Sequence, residues 1–449
     1  MKSQLPLICL FVFVGCSTFN ESKEVITPKN SQVSQQTTQN TTPQVATRSK
    51  INQKVISQNA NVQQSSNGEY VEETPDVTNI DKEMKIYESQ FENLKPIDKT
   101  AKANKQVIQL CLLLDTSNSM DGLINQAKAQ LWEIVNELAK SKKDNKDIVF
   151  EVALYEYGNA RLQKSEGYIR QVTSFTNDLD KLSEFLFALK TNGGDEYCGH
   201  VIASALNKLQ WNPDPESLKI IYIAGNEPFN QGGINFKVPC AISAKRDIIV
   251  NTIHCGSHDQ GLSDSWQLGA KLGKGQFFCI DSNQIVEDIP TPFDDQILNL
   301  NVEINKTYLY YGQEGSVSYQ RQTVQDENAK SVSKSNSVKR AGSKGSNLYT
   351  NMQWDLVDAI SEKDFNIDKI DKKTLPKELQ NKSNEEILKH IQIKKEERLV
   401  IQKQIGALTL KRIEFIKNKK DTSSEDKSLG SAIIKSLRVQ AESKKFIFN

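Results

Sequence analysis

Between Gln106 and Leu298 short, nearly continuous apolar runs alternate with amphipathic stretches, and this alternation limits the possible folds more than any other feature of the chain. The runs Val107–Leu114, Ile148–Tyr155, Leu218–Ala224, Ile248–His254 and Gln276–Ile280 are rich in β-branched residues or leucine along their whole length. A strand that is apolar on both sides belongs in a sheet covered on both faces, as parallel sheets are. Between the runs, Leu123–Lys140, Leu179–Leu189 and Val201–Leu209 carry apolar residues at helical spacing; in the first they are Leu123, Ile124, Ala127, Leu131, Ile134, Val135 and Leu138. Strand and helix in alternation predict an α/β fold with a mostly parallel sheet. Right-handed crossovers then place the helices on the two faces of that sheet.

The N-terminus has a different character. Lys2 precedes an apolar run, Leu5–Val14, that ends in Gly15-Cys16, the layout of a secretory signal with a small-residue cleavage site. Phe13-Val14-Gly15-Cys16 resembles a bacterial lipobox, which makes residues 1–16 a lipoprotein signal peptide and Cys16 the acylated residue. No later apolar run is long enough to span a bilayer. The expected anchor is therefore the acyl chains, each buried methylene contributing about 0.8 kcal/mol. The rest of the chain is expected outside the cytoplasm in a bacterial envelope, with the outer membrane among the destinations. Residues 17–80 are dominated by Ser, Thr, Gln and Asn without hydrophobic period, so they read as a disordered tether. With 57 Lys and Arg against 56 Asp and Glu the net charge is +1, which gives no electrostatic reason to expect nucleic acid as a partner.

After the α/β stretch, residues 299–346 form a polar segment whose Ser- and Lys-rich part, Gln320–Ser346, has no period and reads as loop or disorder. Residues 347–449 are expected to be helical. Ser383 and Glu386 form a capping box at the start of a long amphipathic stretch that continues to Lys419. Lys395, Arg398 and Arg412 interrupt its heptads, which favours packing on the domain or on a partner over a homotypic coiled coil. Trp354, in the run Trp354-Asp355-Leu356-Val357-Asp358, reads as a packing anchor.

Secretion changes the meaning of the cysteines. Cys111 and Cys279 lie inside apolar runs and read as core thiols, whereas Cys198, Cys240 and Cys255 fall at loop or strand ends, where they either form a bridge or remain buried thiols. His200, His254 and His258 show no metal-ligand spacing.

The first strand runs into Asp115-Thr116-Ser117-Asn118-Ser119, which puts one carboxylate and two hydroxyls in the loop at its carboxyl end. In open α/β sheets ligands bind at that end of the strands. Hard oxygen donors suit Mg²⁺, Mn²⁺ or Ca²⁺ and not zinc. The alternative use of Asp115 or Ser119 is to cap the following helix.

An apolar strand, this DxSxS loop, a long helix, an amphipathic second strand and then Thr191-Asn192-Gly193-Gly194-Asp195-Glu196 together resemble the von Willebrand factor A family over 106–298. The resemblance implies a doubly wound, mostly parallel sheet and a metal-ion-dependent adhesion site. Asp115, Ser117 and Ser119 match that site directly. Glu196 stands where a Thr is usual, with Asp195 beside it as a further supporting carboxylate. The fourth-strand loop, Gly225-Asn226-Glu227, lacks the usual Asp near Gly225, leaving Glu227 as its substitute.

The function implied is a membrane-anchored binding module that captures an acidic side chain of another protein through a bound Mg²⁺, Mn²⁺ or Ca²⁺. One alternative is a scaffold with a degenerate site that recognises its partner without metal. A metal-dependent hydrolase is the other; it needs a general base, and the chain has no Ser-His-Asp arrangement, HExxH or P-loop, so no catalytic residue is assigned and the chain is read as a binder, not an enzyme.

Overall fold

The computed structural model describes residue 85 and residues 106–144, 146–284, 288–419 and 426–448. The expected signal peptide with Cys16 and the expected tether of residues 17–80 lie outside the described residues. Among those described, no helix is long and apolar enough to cross a membrane.

All five anticipated strands form, with ends shifted by a few residues: β1 (Gln106–Asp115), β3 (Lys146–Tyr157), β5 (Leu218–Gly225), β6 (Ile249–His254) and β7 (Lys274–Cys279). Three short or irregular strands join them: β2 (Ser141–Lys143), β4 (Ile169–Thr176) and β8 (Ile447–Phe448). The sheet order is β7-β6-β5-β1-β3-β2-β8, with β4 also paired to β3. β1 runs parallel to both neighbours, Leu110 lying opposite Val152 on one side and Ile220 on the other. β5, β6 and β7 continue the parallel pairing, while β4 and β2 run antiparallel to β3.

From β1 the chain builds outward in one direction through β3 and then in the other through β5. This defines a doubly wound sheet with its switch point at β1. The sequence shows why β1 is central: from Val107 onward all of its residues are buried.

The helices are α1 (Asp121–Leu138), α2 (Leu179–Ala188), α3 (Cys198–Lys208), α4 (Lys237–Lys245), α5 (His258–Ser263), α6 (Trp266–Leu272), α7 (Asp294–Asn305), α8 (Gly315–Val332), α9 (Lys334–Lys344), α10 (Leu356–Ala359), α11 (Lys377–Gln380), α12 (Asn384–Lys419) and α13 (Leu429–Ser443). Residues of α3, α4 and α6 pack with Cys111, Leu113, Ile221 and Ile223 on one face of the sheet. Leu123, Leu131 and Val135 of α1 pack with Leu110, Leu112 and Ile220 on the other.

That second face corrects the domain limits. Leu429, Ile433, Leu437 and Ala441 of α13, together with Phe446, belong to the same core as Leu110 and Ile220. The Tyr222 hydroxyl of β5 hydrogen-bonds Ser436 Oγ at 2.8 Å, and the side-chain amides of Asn251 and Gln440 bond each other at 3.0 and 2.7 Å. β8 pairs with β2 at the sheet edge. The α/β layer is thus completed by the last residues of the chain and does not end at 298.

The loop or disorder expected for Gln320–Ser346 is also corrected, because the segment lies in α8 and α9. Their buried side chains are largely polar, including Gln322, Gln325, Asn336, Arg340, Ser343 and Lys344. Arg340 bonds Asp180 at 2.7 Å and Asp326 at 2.5 Å, and its guanidinium lies 4.6 Å from the ring centre of Trp132. Lys344 bonds Asp326 at 2.6 Å. A helix held by charge pairs and hydrogen bonds leaves no apolar stripe for periodicity to detect.

The capping box forms as expected: Ser383 N donates to Glu386 Oε2 at 2.8 Å, and Glu386 N donates to Ser383 Oγ at 3.2 Å. α12 packs back on the domain through the arginines that interrupt its heptads. Arg398 bonds Asp355 at 2.6 Å and Arg412 bonds Asp294 at 3.0 Å. Trp354 is buried against Tyr308 and Tyr319.

Candidate metal centre

Three loops meet at the carboxyl ends of β1, β3 and β5. β1 delivers Asp115 into the core with 0% exposure. Its Oδ1 accepts from Ser117 N at 2.7 Å, which bends the chain into the turn Asn118–Met120. Ser117 Oγ lies 3.4 Å from Ser119 Oγ, and Ser119 Oγ donates to Asn226 Oδ1 at 3.4 Å. Neither serine hydroxyl nor the Asp115 carboxylate caps a helix, since the N-cap residues here, Ser117 and Met120, make no side-chain cap bond. Asp115 Oδ2 is buried without a hydrogen-bond partner.

The second loop, which follows α2, is fixed to the first where Asn192 N donates to Thr116 O at 2.9 Å, and to the turn after β3 where Asn159 Nδ2 donates to Lys190 O at 2.9 Å. It brings Glu196, 6% exposed, beside Asp115. Gly158, at φ 76°, makes this approach possible: a Cβ there would lie 2.8 Å from both Asp115 Oδ1 and Glu196 Cγ.

In the third loop a Cβ at residue 225 would lie 2.5 Å from Tyr157 Oη and 3.0 Å from Asp115 Oδ2. No carboxylate fits at Gly225, and the side chain that reaches Ser119 is that of the next residue, Asn226. Sequence reasoning missed Asn226 because it looked for an acid one position earlier.

Burial pushes the Asp115 carboxyl up to about 7; the charge of Glu227 adds to this, while the Ser117 N–H and hydroxyl and the nearby Asn226 N–H act against it. Glu196 is pushed up to about 8, first by burial and then by the charges of Asp115 and Glu227. Glu227 is half-buried. Gln231 links its loop to Glu196, with Nε2 donating to Glu227 Oε2 at 3.4 Å and Oε1 accepting from Glu196 N at 3.3 Å. Asp195 is exposed and accepts from the Tyr197 hydroxyl at 3.1 Å, so it stands outside the cluster.

The five described cysteines are free thiols. Cys198 and Cys240 are fully buried in one core cluster and Cys255 is partly buried; burial pushes all three thiols up. The bridge considered for them is not formed. Their apolar surroundings stabilise the protonated thiol.

Among the described residues, no group of three His, Cys, Asp or Glu side chains is placed to hold a metal. A cation at this place needs the serine hydroxyls as well. Asp115, Ser117, Ser119 and Glu196 fit that role by their chemistry, as hard oxygen donors around a buried carboxylate oxygen that has no partner.

No family model matches the chain, and no curated protein matches it. Solved structures similar to it include the conserved hypothetical protein BatB from Bacteroides thetaiotaomicron, at 17% identity over 39% of this chain and 90% of that one, with a TM-score of 0.29. An aerotolerance-related membrane protein from Bacteroides fragilis NCTC 9343 is 18% identical over 39% of this chain and 93% of its own, with a TM-score of 0.28. The SpRpn10 VWA domain is 14% identical over 42% of this chain and 94% of its own, with a TM-score of 0.29. The fold class, a doubly wound and mostly parallel α/β sheet, rests on the strand order and pairing themselves.

Proposed function

We propose that this chain is a protein-binding module of the von Willebrand factor A type, displayed in a bacterial envelope on a lipid anchor at Cys16. It engages its partner through a divalent cation, Mg²⁺, Mn²⁺ or Ca²⁺, held by Asp115, Ser117, Ser119 and Glu196. The observation that carries this reading is the unpartnered Asp115 Oδ2, buried beside a second buried carboxylate. Two such groups are costly together unless protons or a cation neutralise them.

When bound, the cation supplies a Lewis-acidic position to which a partner's oxygen can attach. The chain's own residues do the rest. Asp115 and Glu196 provide charge, Ser117 and Ser119 provide neutral oxygens, and Gly158 and Gly225 let the three loops close around them. Ser119 is exposed, so the site opens to solvent on its side. In this reading Asp115 and Glu196 act as ligands, so neither is free to serve as the general base that hydrolysis requires.

A second reading, recognition without metal, is favoured by one feature: the outer side of α12 exposes Leu399, Val400 and Leu410, the last at 67%. Calorimetric titration of Mg²⁺, Mn²⁺ and Ca²⁺ into the full-length chain separates the two. The expected result is saturable binding that disappears in the Ser117→Ala, Ser119→Ala double variant. Binding unaffected by that double substitution overturns the cation reading.

A further inference from the structure

Resting on that cation site, we infer that Glu196 sets its ligand class: the partner group it accepts is a neutral oxygen, an amide or backbone carbonyl or a hydroxyl, and not a carboxylate. The acidic side chain implied by the family resemblance is thereby replaced as the expected partner group.

The reason is charge within a buried volume. Asp115 is fully buried, and Glu196 lies beside it in the space that the absent Gly158 side chain leaves open. These two carboxylates match the charge of one divalent cation. A third carboxylate, the half-buried Glu227, is tied to this pair through Gln231, which donates to Glu227 Oε2 at 3.4 Å and accepts from Glu196 N at 3.3 Å. A partner carboxylate would therefore enter a site already neutral or negative, and would have to be desolvated to do so. Glu196 also has the advantage of attachment, since an internal carboxylate competes at high effective concentration with an external one.

A neutral oxygen brings no charge to be repelled. The uncharged polar groups at the open side, the Ser119 hydroxyl and the half-buried Asn226 amide, suit hydrogen bonding to such a group. Specificity of this kind arises from a repulsive element against the wrong ligand as much as from attraction to the right one.

The test measures Mn²⁺ affinity of the full-length chain by the electron paramagnetic resonance signal of free Mn²⁺, alone and with sodium acetate or acetamide at matched ionic strength. Wild type, Glu196→Thr and Glu196→Gln are compared; the glutamine variant keeps the side-chain shape, so a packing defect in the threonine variant is recognised. The expected result is that acetate leaves Mn²⁺ affinity of the wild type unchanged and tightens it in both variants by about tenfold, equivalent to about 1.4 kcal/mol. Equal tightening by acetate in wild type and variants overturns the inference while leaving the cation site standing, as does an absence of any acetate effect in the variants. Failure of the wild type to bind Mn²⁺ at all overturns the reading on which the inference rests.

Discussion

Asp115 is the residue on which the candidate site depends, because its surroundings favour its uncharged form. A carboxyl whose pKa is raised on folding binds its proton more tightly in the native state than in the unfolded chain. Its contribution is present at acidic pH and is lost as pH rises from the unfolded value, near 4, through the folded value of about 7. Asp115→Asn keeps the acceptor for Ser117 N and removes the charge. At pH 8 and without metal the variant is expected to be more stable than wild type, by about 1 kcal/mol or more, and to show no stabilisation by Mn²⁺. Urea unfolding with and without Mn²⁺ checks both, and a less stable variant contradicts the account. At this scale the DxSxS pattern behind an apolar strand singles out Asp115, Ser117 and Ser119 as candidates, and the structure brings them together at the end of β1. Asn226 and Gly158 were not legible, because their roles come from the meeting of loops distant in sequence. A glycine directly after a strand, as Gly158 is, was the available signal.

Among the elements, the parallel strands were legible because burial on both faces leaves a continuous apolar run. β4 was not: its apolar residues Ile169, Val172 and Phe175 are three apart, so they fall on alternate faces of the strand and give no two-residue period. α8 and α9 were hidden for a different reason, since polar side chains such as Arg340, Lys344 and Gln322 outnumber the apolar ones, Ala329, Val338 and Ala341, among their buried residues. α13 has a readable amphipathic pattern, but nothing local shows that it packs against β5 and β6. Full burial of an aliphatic or aromatic side chain contributes about 1.5–3 kcal/mol. Leu429, Ile433, Leu437 and Phe446 together therefore contribute an amount comparable to the whole stability of an ordinary domain, about 5–15 kcal/mol. A fragment of residues 105–298 is expected to lack a cooperative thermal transition and near-ultraviolet circular dichroism, both of which the full-length chain shows. A fragment that melts cooperatively near the full-length temperature contradicts the assignment of α13 to the sheet.

For the molecule as a whole, the fold places the candidate site at the switch point of the sheet and encloses α13 within the same core as β1 and β5. Strand–helix alternation revealed the fold class; the domain limit at 298 failed because closure of the sheet face depends on a segment more than a hundred residues further on. This architecture requires any test of the cation site to use the full-length chain. In the proposed function the two buried carboxylates, Asp115 and Glu196, are neutralised by a divalent cation. The decisive measurement is the melting temperature as a function of pH from about 5 to 9, which spans the folded values of about 7 for Asp115 and about 8 for Glu196, in chelator and in Mn²⁺. On the cation reading the chelator curve falls as pH rises, Mn²⁺ removes most of the fall, and the gap between the curves is widest at the alkaline end. Curves that superimpose over the whole range contradict it.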